Sequence, residues 1–268
     1  MLWPVPSRPC RWWRALMGQA WLLSQWGVAL WLNLALVALA LLSPQKALTR
    51  AGVLHAGLLG LLVWGGLGGR GYLVVAAYFL VGTAVTKLGI RRKQAQGIAE
   101  KREGARGPEN VWGSALTGAA CAVGYALFAH PLWWLGYSAS FAAKLADTVS
   151  SEVGKAYGRQ TFLITTLQPV PAGTEGAVSL EGSLAGVAAA GGMAALAWGI
   201  GGEWVGGNLL WLGICWLAGI LATLAESWMG VVLQPRLAWM SNEVVNGIQT
   251  TLAALLAVGL GALLGIGS

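Results

Sequence analysis

Long apolar runs follow one another along almost the whole chain, and they leave few folds open to it. Windows of roughly 17 to 25 residues with few charges fall at 18–42, 47–65, 71–88, 111–130, 132–149, 184–201, 208–229 and 244–266, each long enough to cross a hydrocarbon core. A backbone surrounded by lipid must satisfy its own N–H and C=O groups, so segments of this length span as helices. The expectation is an all-α fold, a polytopic integral membrane helical bundle of about eight transmembrane helices forming one domain over residues 1–268. Composition agrees: only 10% of residues are charged, and 40 glycines offer the small surfaces on which membrane helices approach each other. Gly65-Gly-Leu-Gly-Gly-Arg70-Gly marks the break between the second and third spans, and His130-Pro131 the break between the fourth and fifth.

Arg8, Arg11 and Arg14 precede the first apolar run, but that run is too long for a signal peptide and reads as an uncleaved anchor. Cys10, Cys121 and Cys215 are too far apart to suggest a disulfide framework or a zinc site. His55 and His130 stand alone near helix ends and read as packing residues. Placing the 87–110 loop in the cytoplasm puts most of the 17 lysines and arginines on that side, with Arg70 and the N-terminal arginines opposite. The expected location is the cell or thylakoid membrane, multi-pass, with the active site on the cytoplasmic face.

Polar chemistry is confined to residues 87–110, 144–182 and 241–250. Asp147 is the sole aspartate of the chain. At 100° per residue, Lys144, Asp147, Thr148, Ser151, Glu152 and Lys155 fall within an arc of about 140°, one polar face at the end of a span. Acids kept against an apolar segment point to use, and Asp147 with Glu152 suits a hard divalent cation such as Mg²⁺. The bland alternative is an internal Lys144–Asp147 ion pair.

Three further segments accompany this stripe. Residues 159–182 hold Arg159 and a tight turn containing Gly173, Thr174 and Gly176, whose N–H groups suit phosphate oxygens or simply turn the chain. Lys87, Arg91, Arg92, Lys93, Lys101, Arg102 and Arg106 form a basic loop that fits a polyanion, although topology and anionic lipid favour the same composition. Gly154-Lys155 is followed by Ala156 and is no Walker motif. Asn242, Glu243, Asn246 and Gln249 or Thr250 recur along the last span as a polar seam or part of a site.

The combination of Thr86-Lys87-Leu-Gly89, Ala146-Asp147-Thr148 with Ser151-Glu152-Val-Gly154, and Val170-Pro171-Ala-Gly173-Thr174-Glu175-Gly176 with Val178-Ser179 resembles the transmembrane protein 19-like family, which includes the plant and cyanobacterial phytyl-phosphate kinases. The resemblance covers residues 81–268, and residues 1–80 match little. Glu175-Gly176-Ala177 stands where family members tend to have Asn-Gly-Gly, and the last helix opens differently at Ser241-Asn242-Glu243.

The resemblance implies transfer of a phosphoryl group from a nucleoside triphosphate, CTP rather than ATP, to a membrane-held prenyl monophosphate. The product is phytyl diphosphate for tocopherol and phylloquinone synthesis. On this reading Asp147, Lys144, Glu152 and Lys87 are catalytic, and Mg²⁺ lies at Asp147 and Glu152 with Glu243 as a further ligand. Arg91, Arg92, Lys93, Lys101, Arg106, Ser151, Arg159, Gly173, Thr174, Gly176 and Asn246 bind nucleotide and phosphate. The prenyl tail lies between helices, among membrane lipids, and nucleic acid is not a partner. A cytidylyltransferase forming a CDP-lipid needs much the same groups. An ion-coupled transporter is the alternative from another class, although polar residues crowd one membrane face and no halves repeat.

Overall fold

The computed structural model describes residues 24–44, 47–99 and 104–266. Arg8, Arg11 and Arg14 with the start of the expected N-terminal anchor, and Lys101 and Arg102, lie outside them; the rest of the anchor is α1. The chain is helical, in the order α1 (Gln25–Leu42), α2 (Arg50–Thr86), α3 (Ile90–Ala95), α4 (Pro108–Phe128), α5 (Pro131–Tyr157), α6 (Leu180–Gly201), α7 (Leu209–Val232) and α8 (Asn242–Leu263). A two-residue antiparallel pair, β1 (Phe162–Leu163) with β2 (Ala177–Val178), stands between α5 and α6. Side-chain caps start the helices: Ser24, Thr49, Ser179, Asn208 and Ser241 each accept a first-turn N–H, and Pro108 and Pro131 begin α4 and α5.

α2 is a hairpin of two antiparallel arms, 50–67 and 69–86. Its chain reverses at Gly68 (φ 62°, ψ −155°), a conformation that only glycine adopts without strain. The reversal brings Trp64 against Tyr72, with ring centroids 5.3 Å apart. Gln25 Nε2 donates to the Trp64 and Gly65 carbonyls at 3.0 and 3.1 Å, satisfying groups that the reversal strips of helical partners. The glycine-rich break expected between 65 and 71 is therefore real, but Gly68 alone makes the turn.

Among the described residues six helices are long and apolar enough to cross a membrane, with α2 counted once; α5 falls outside that set. It lies instead at the centre of the bundle, packed by α2, α4, α6, α7 and α8, and is buried without interruption from Trp134 to Asp147. With the two arms of α2 counted separately, the apolar helices number seven among the described residues, and α5 brings the long helical segments to eight, compatible with the expected number. Glycines let neighbours close on α5: a Cβ on Gly186 would sit 3.0 Å from the Ala146 carbonyl, and one on Gly219 would meet Ala142 at 3.3 Å. Leucines such as Leu39, Leu73, Leu80, Leu116, Leu184 and Leu255 face outward, where lipid covers them.

The connections at 43–49, 87–107, 158–179 and 233–241 share one end of the bundle, so the two long polar segments lie together as expected. At the opposite end Arg70 pairs with Glu203 at 3.8 Å and stacks over Trp204. α5 runs to Tyr157 and α6 begins at Leu180, so the second polar connection is shorter than the expected 150–182. The polar stripe stays helical because its face is turned into the bundle, and the helix stops at Gly158.

Gly68→Ala is expected to lower stability by about 1–3 kcal/mol, because a side chain is strained at that φ and ψ. Gly69→Ala, where a Cβ would make only an ordinary contact with Trp64 at 3.8 Å, is expected to leave stability unchanged or slightly raised. Thermal unfolding in detergent micelles separates the two.

Candidate functional site

At the charged end, the polar face of α5 forms one wall of a cavity of about 470 Å³. Lys144 donates to Asp147 Oδ2 at 2.5 Å and to Asn246 Oδ1 at 2.8 Å, which joins α5 to α8. The Lys144 and Asp147 side chains are only 7% and 11% exposed, so each depends on the other for charge compensation. Below them α8 is stitched to its neighbours: Gln249 donates to the Ala143 carbonyl at 3.2 Å, and Thr250 meets Thr117 at 3.0 Å. The polar residues of the last helix thus serve both as seam and as cavity wall.

Glu152 also borders the cavity, but its carboxylate is engaged by Lys93 and lies 3.8 Å from Lys155. Lys93 is fully enclosed and also donates to the Thr86 carbonyl at 2.7 Å. Arg92 caps the end of α5 through the Ala156 carbonyl at 3.0 Å, and left-handed Gly89 lies so close that a Cβ there would meet Ala156 at 2.9 Å. The segment after α2 is thereby strapped to the end of α5.

The glycine turn closes the cavity. Gly173 and Gly176 have positive φ, and the turn is ordered by Thr174 N–H to the Pro171 carbonyl at 3.2 Å and Ile164 N–H to the Gly176 carbonyl at 3.1 Å. A Cβ on Gly173 would collide with Ile98 of the basic loop, and one on Gly176 would lie 2.9 Å from the Ser227 carbonyl of α7. Both glycines are required by close approach as well as by φ. With the Thr174 amide already committed to the turn, the expected cradle of successive free N–H groups is reduced.

Arg106, Lys144, Asp147, Ser151, Glu152, Gly173, Thr174, Gly176, Glu243 and Asn246, separated by up to 140 positions in the chain, line this one cavity. Lys87, Arg91, Arg92, Lys93 and Arg159 do not line it. Lys87 and Arg91 are exposed, Arg159 lies beside Glu181 at 3.8 Å, and Arg92 and Lys93 brace α5. Arg106 is the described member of the basic loop that reaches the wall, where its guanidinium donates to Tyr78 OH at 3.3 Å and stacks on that ring.

Sequence reasoning missed Glu226 and Glu175. Glu226 lies on α7 within electrostatic range of Asp147, Lys144 and Glu175, and a Cβ on Gly230 would touch the Glu175 carboxylate at 3.0 Å. An acid inside the apolar window 208–229 was the available signal for Glu226. Glu243 accepts from Asn110 at 3.4 Å across the α4–α8 contact. Carboxylates from α5, α7, α8 and the turn therefore border one partly buried space, where like charges raise each other's cost. Among the described residues no three acids, histidines or cysteines are close enough to cage a metal. The donors are hard oxygens, which fits Mg²⁺ held by one or two carboxylates together with phosphate oxygens.

The brace and the cavity make different demands on Glu152. Lys93→Met is expected to destabilise the protein by about 3–5 kcal/mol by leaving a buried carboxylate short of its partner, and adding Glu152→Gln is expected to recover most of that loss in thermal unfolding.

Relatives place this arrangement in a family. The chain is 54% identical over 254 residues to an uncharacterized membrane protein of Synechocystis sp., covering 92% of this chain and 97% of the relative. It is 43% identical over 241 residues to protein VTE6, chloroplastic, of Arabidopsis thaliana, covering 87% and 71%. An uncharacterized membrane protein of Methanocaldococcus jannaschii is 29% identical over 219 residues, covering 81% and 87%. No solved structure matches the chain. The model of the family described as integral membrane protein DUF92 matches residues 33–254, which takes in the cavity and nearly all the helices that build it, and the chain belongs to that family.

Proposed function

We propose that this chain is a membrane prenyl-phosphate kinase. It transfers the γ-phosphoryl group of a nucleoside triphosphate, CTP in preference to ATP, to phytyl phosphate, and the phytyl diphosphate formed feeds tocopherol and phylloquinone synthesis. The observation that carries this reading is the buried Lys144–Asp147–Asn246 group on the wall of a polar cavity at the end of a membrane bundle, where a lipid head group and a soluble nucleotide can meet. The 43% identity to protein VTE6 and the resemblance to phytyl-phosphate kinases support it.

In the reaction, a non-bridging oxygen of the acceptor phosphate attacks the γ-phosphorus. The bond to the β–γ bridging oxygen breaks, and the nucleoside diphosphate leaves with that electron pair. A phosphate monoester, with its second pKa of about 6, is largely ionised near neutral pH, so no strong general base is required. What the reaction requires is neutralisation and alignment of two anions that repel each other. Lys144 and Lys155 of α5, with Arg106, supply positive charge to the cavity. Asn246 holds the Lys144 ammonium in place, Ser151 and Thr174 offer hydroxyls, and the turn at Gly173 and Gly176 limits access of water. Asp147, with Glu226 or Glu243 as a second carboxylate, would hold magnesium, which would supply further neutralisation of the nucleotide phosphates. Glu152 acts as a positioning residue through Lys93 and Lys155. The catalytic face is the cytoplasmic one.

The test is a purified-protein assay with phytyl phosphate, γ-labelled CTP or ATP, and Mg²⁺. Label is expected on phytyl diphosphate, whereas release of pyrophosphate would identify a cytidylyltransferase instead. Asp147→Asn keeps the shape of the side chain and is expected to lower kcat by about 100-fold or more with the fold retained by circular dichroism. Turnover at the level of the unaltered protein would remove Asp147 from the reaction.

A further inference from the structure

We infer that a groove between α1, the two arms of α2 and α4 binds the single hydrocarbon chain of an isoprenoid monophosphate, with the phosphate held at Arg106. The inference rests on the kinase reading and adds to it the place where the substrate lies and the part of the protein that measures its chain.

The groove has a volume of about 420 Å³, within the range of about 300–1,000 Å³ usual for small-ligand sites. Leu36, Val37, Val53, Val75, Phe79 and Val111 give it an apolar wall. Its inner end adjoins the polar cavity: Tyr78, Arg106, Asn110 and Ser114 border both spaces. A ligand that fills both must be anionic at one end and hydrocarbon at the other. Arg106 is fixed at the junction by its main chain, which exchanges hydrogen bonds of 3.1 and 3.0 Å with Ala47 and Thr49, and by its guanidinium on Tyr78 and Phe79. A guanidinium so held is suited to phosphate oxygens.

A polar pair lies among the lining residues farthest from Arg106 along α2. Tyr72 OH donates to Asn33 Oδ1 at 3.0 Å, and Asn33 Nδ2 donates to the Ala29 carbonyl at 2.8 Å. On the second arm of α2 the lining runs from Tyr72 to Leu80, which spans about 12 Å at 1.5 Å per residue. Along its side the groove is open: Leu36 and Leu80 are 40% and 65% exposed and face lipid. A membrane-dissolved chain can therefore enter sideways without leaving an apolar medium, while its phosphate slides into the polar cavity. The α1 and α2 helices, which contribute little to the acidic site, acquire a role as the chain-length selector.

Ala76 and Ala56 line the groove away from the polar cavity, so Ala76→Leu and Ala56→Leu fill it without touching the phosphate groups. Each is expected to raise KM for phytyl phosphate by about tenfold while leaving turnover of a five-carbon isoprenyl phosphate unchanged, since a few methylenes displaced at about 0.8 kcal/mol each suffice. An equal loss on both substrates, or no change on either, would overturn the inference. A binding measurement keeps it separate from the reaction: photolabelling with a phytyl phosphate analogue carrying a diazirine on its tail. Label on peptides covering 33–40 and 72–80, displaced by phytyl phosphate and not by phosphatidylglycerol, is the expected result. Equal displacement by phosphatidylglycerol would make the groove a site for bilayer lipid and overturn the assignment. Labelling without phosphoryl transfer by the unaltered protein would sustain the groove and defeat the kinase reading alone.

Discussion

Everything about this bundle follows from the charged end of α5, which cannot be placed against hydrocarbon. An ion pair as enclosed as Lys144–Asp147 holds its charge in a low-dielectric setting only with close partners, and here Asn246 of α8 provides one of them. Helices α2, α4, α6, α7 and α8 enclose α5, and the glycines of α6 and α7 bring them near enough to exclude lipid. A helix that is too polar to count as a span on its own becomes the axis of the membrane domain.

The enclosure also sorts the cations. Much of the basic connection after α2 is structural: Lys93 and Arg92 tie it to the end of α5, and Gly89 gives the room to do so. That strap, together with the contact of Ile98 on Gly173, holds the two polar connections over the cavity. The positive charge inside comes from Lys144 and Lys155 on α5 and from Arg106, which sits where the polar cavity meets the apolar groove. The polar cavity and the apolar groove thus adjoin at Arg106, and α1 with the α2 hairpin forms the side of the groove.

Much of this was legible in the chain. The spans could be read because hydrophobic length is a local property, and the polar stripe from Lys144 to Lys155 could be read because helical periodicity is local too. Gly68 could be located only to within a glycine-rich break, since its neighbours look alike until φ and ψ are known. Lys93 could not be told from the other cations of its loop, because its partner Glu152 lies 59 residues away. Glu226 was hidden for a similar reason: an isolated acid in an apolar window acquires meaning only when Asp147 and Glu175 face it.

Sequence by itself determined that the protein is a helical membrane bundle, that its polar connections gather at one end, and that one face of α5 is charged. Each of these depends on composition and spacing within a single segment. Tertiary structure alone decided which carboxylates share the cavity, which cations brace the helices, and that Arg106 joins a polar chamber to an apolar groove. Those outcomes depend on distances between residues remote in the chain, and the packing of glycine-bearing helices around a buried ion pair sets such distances.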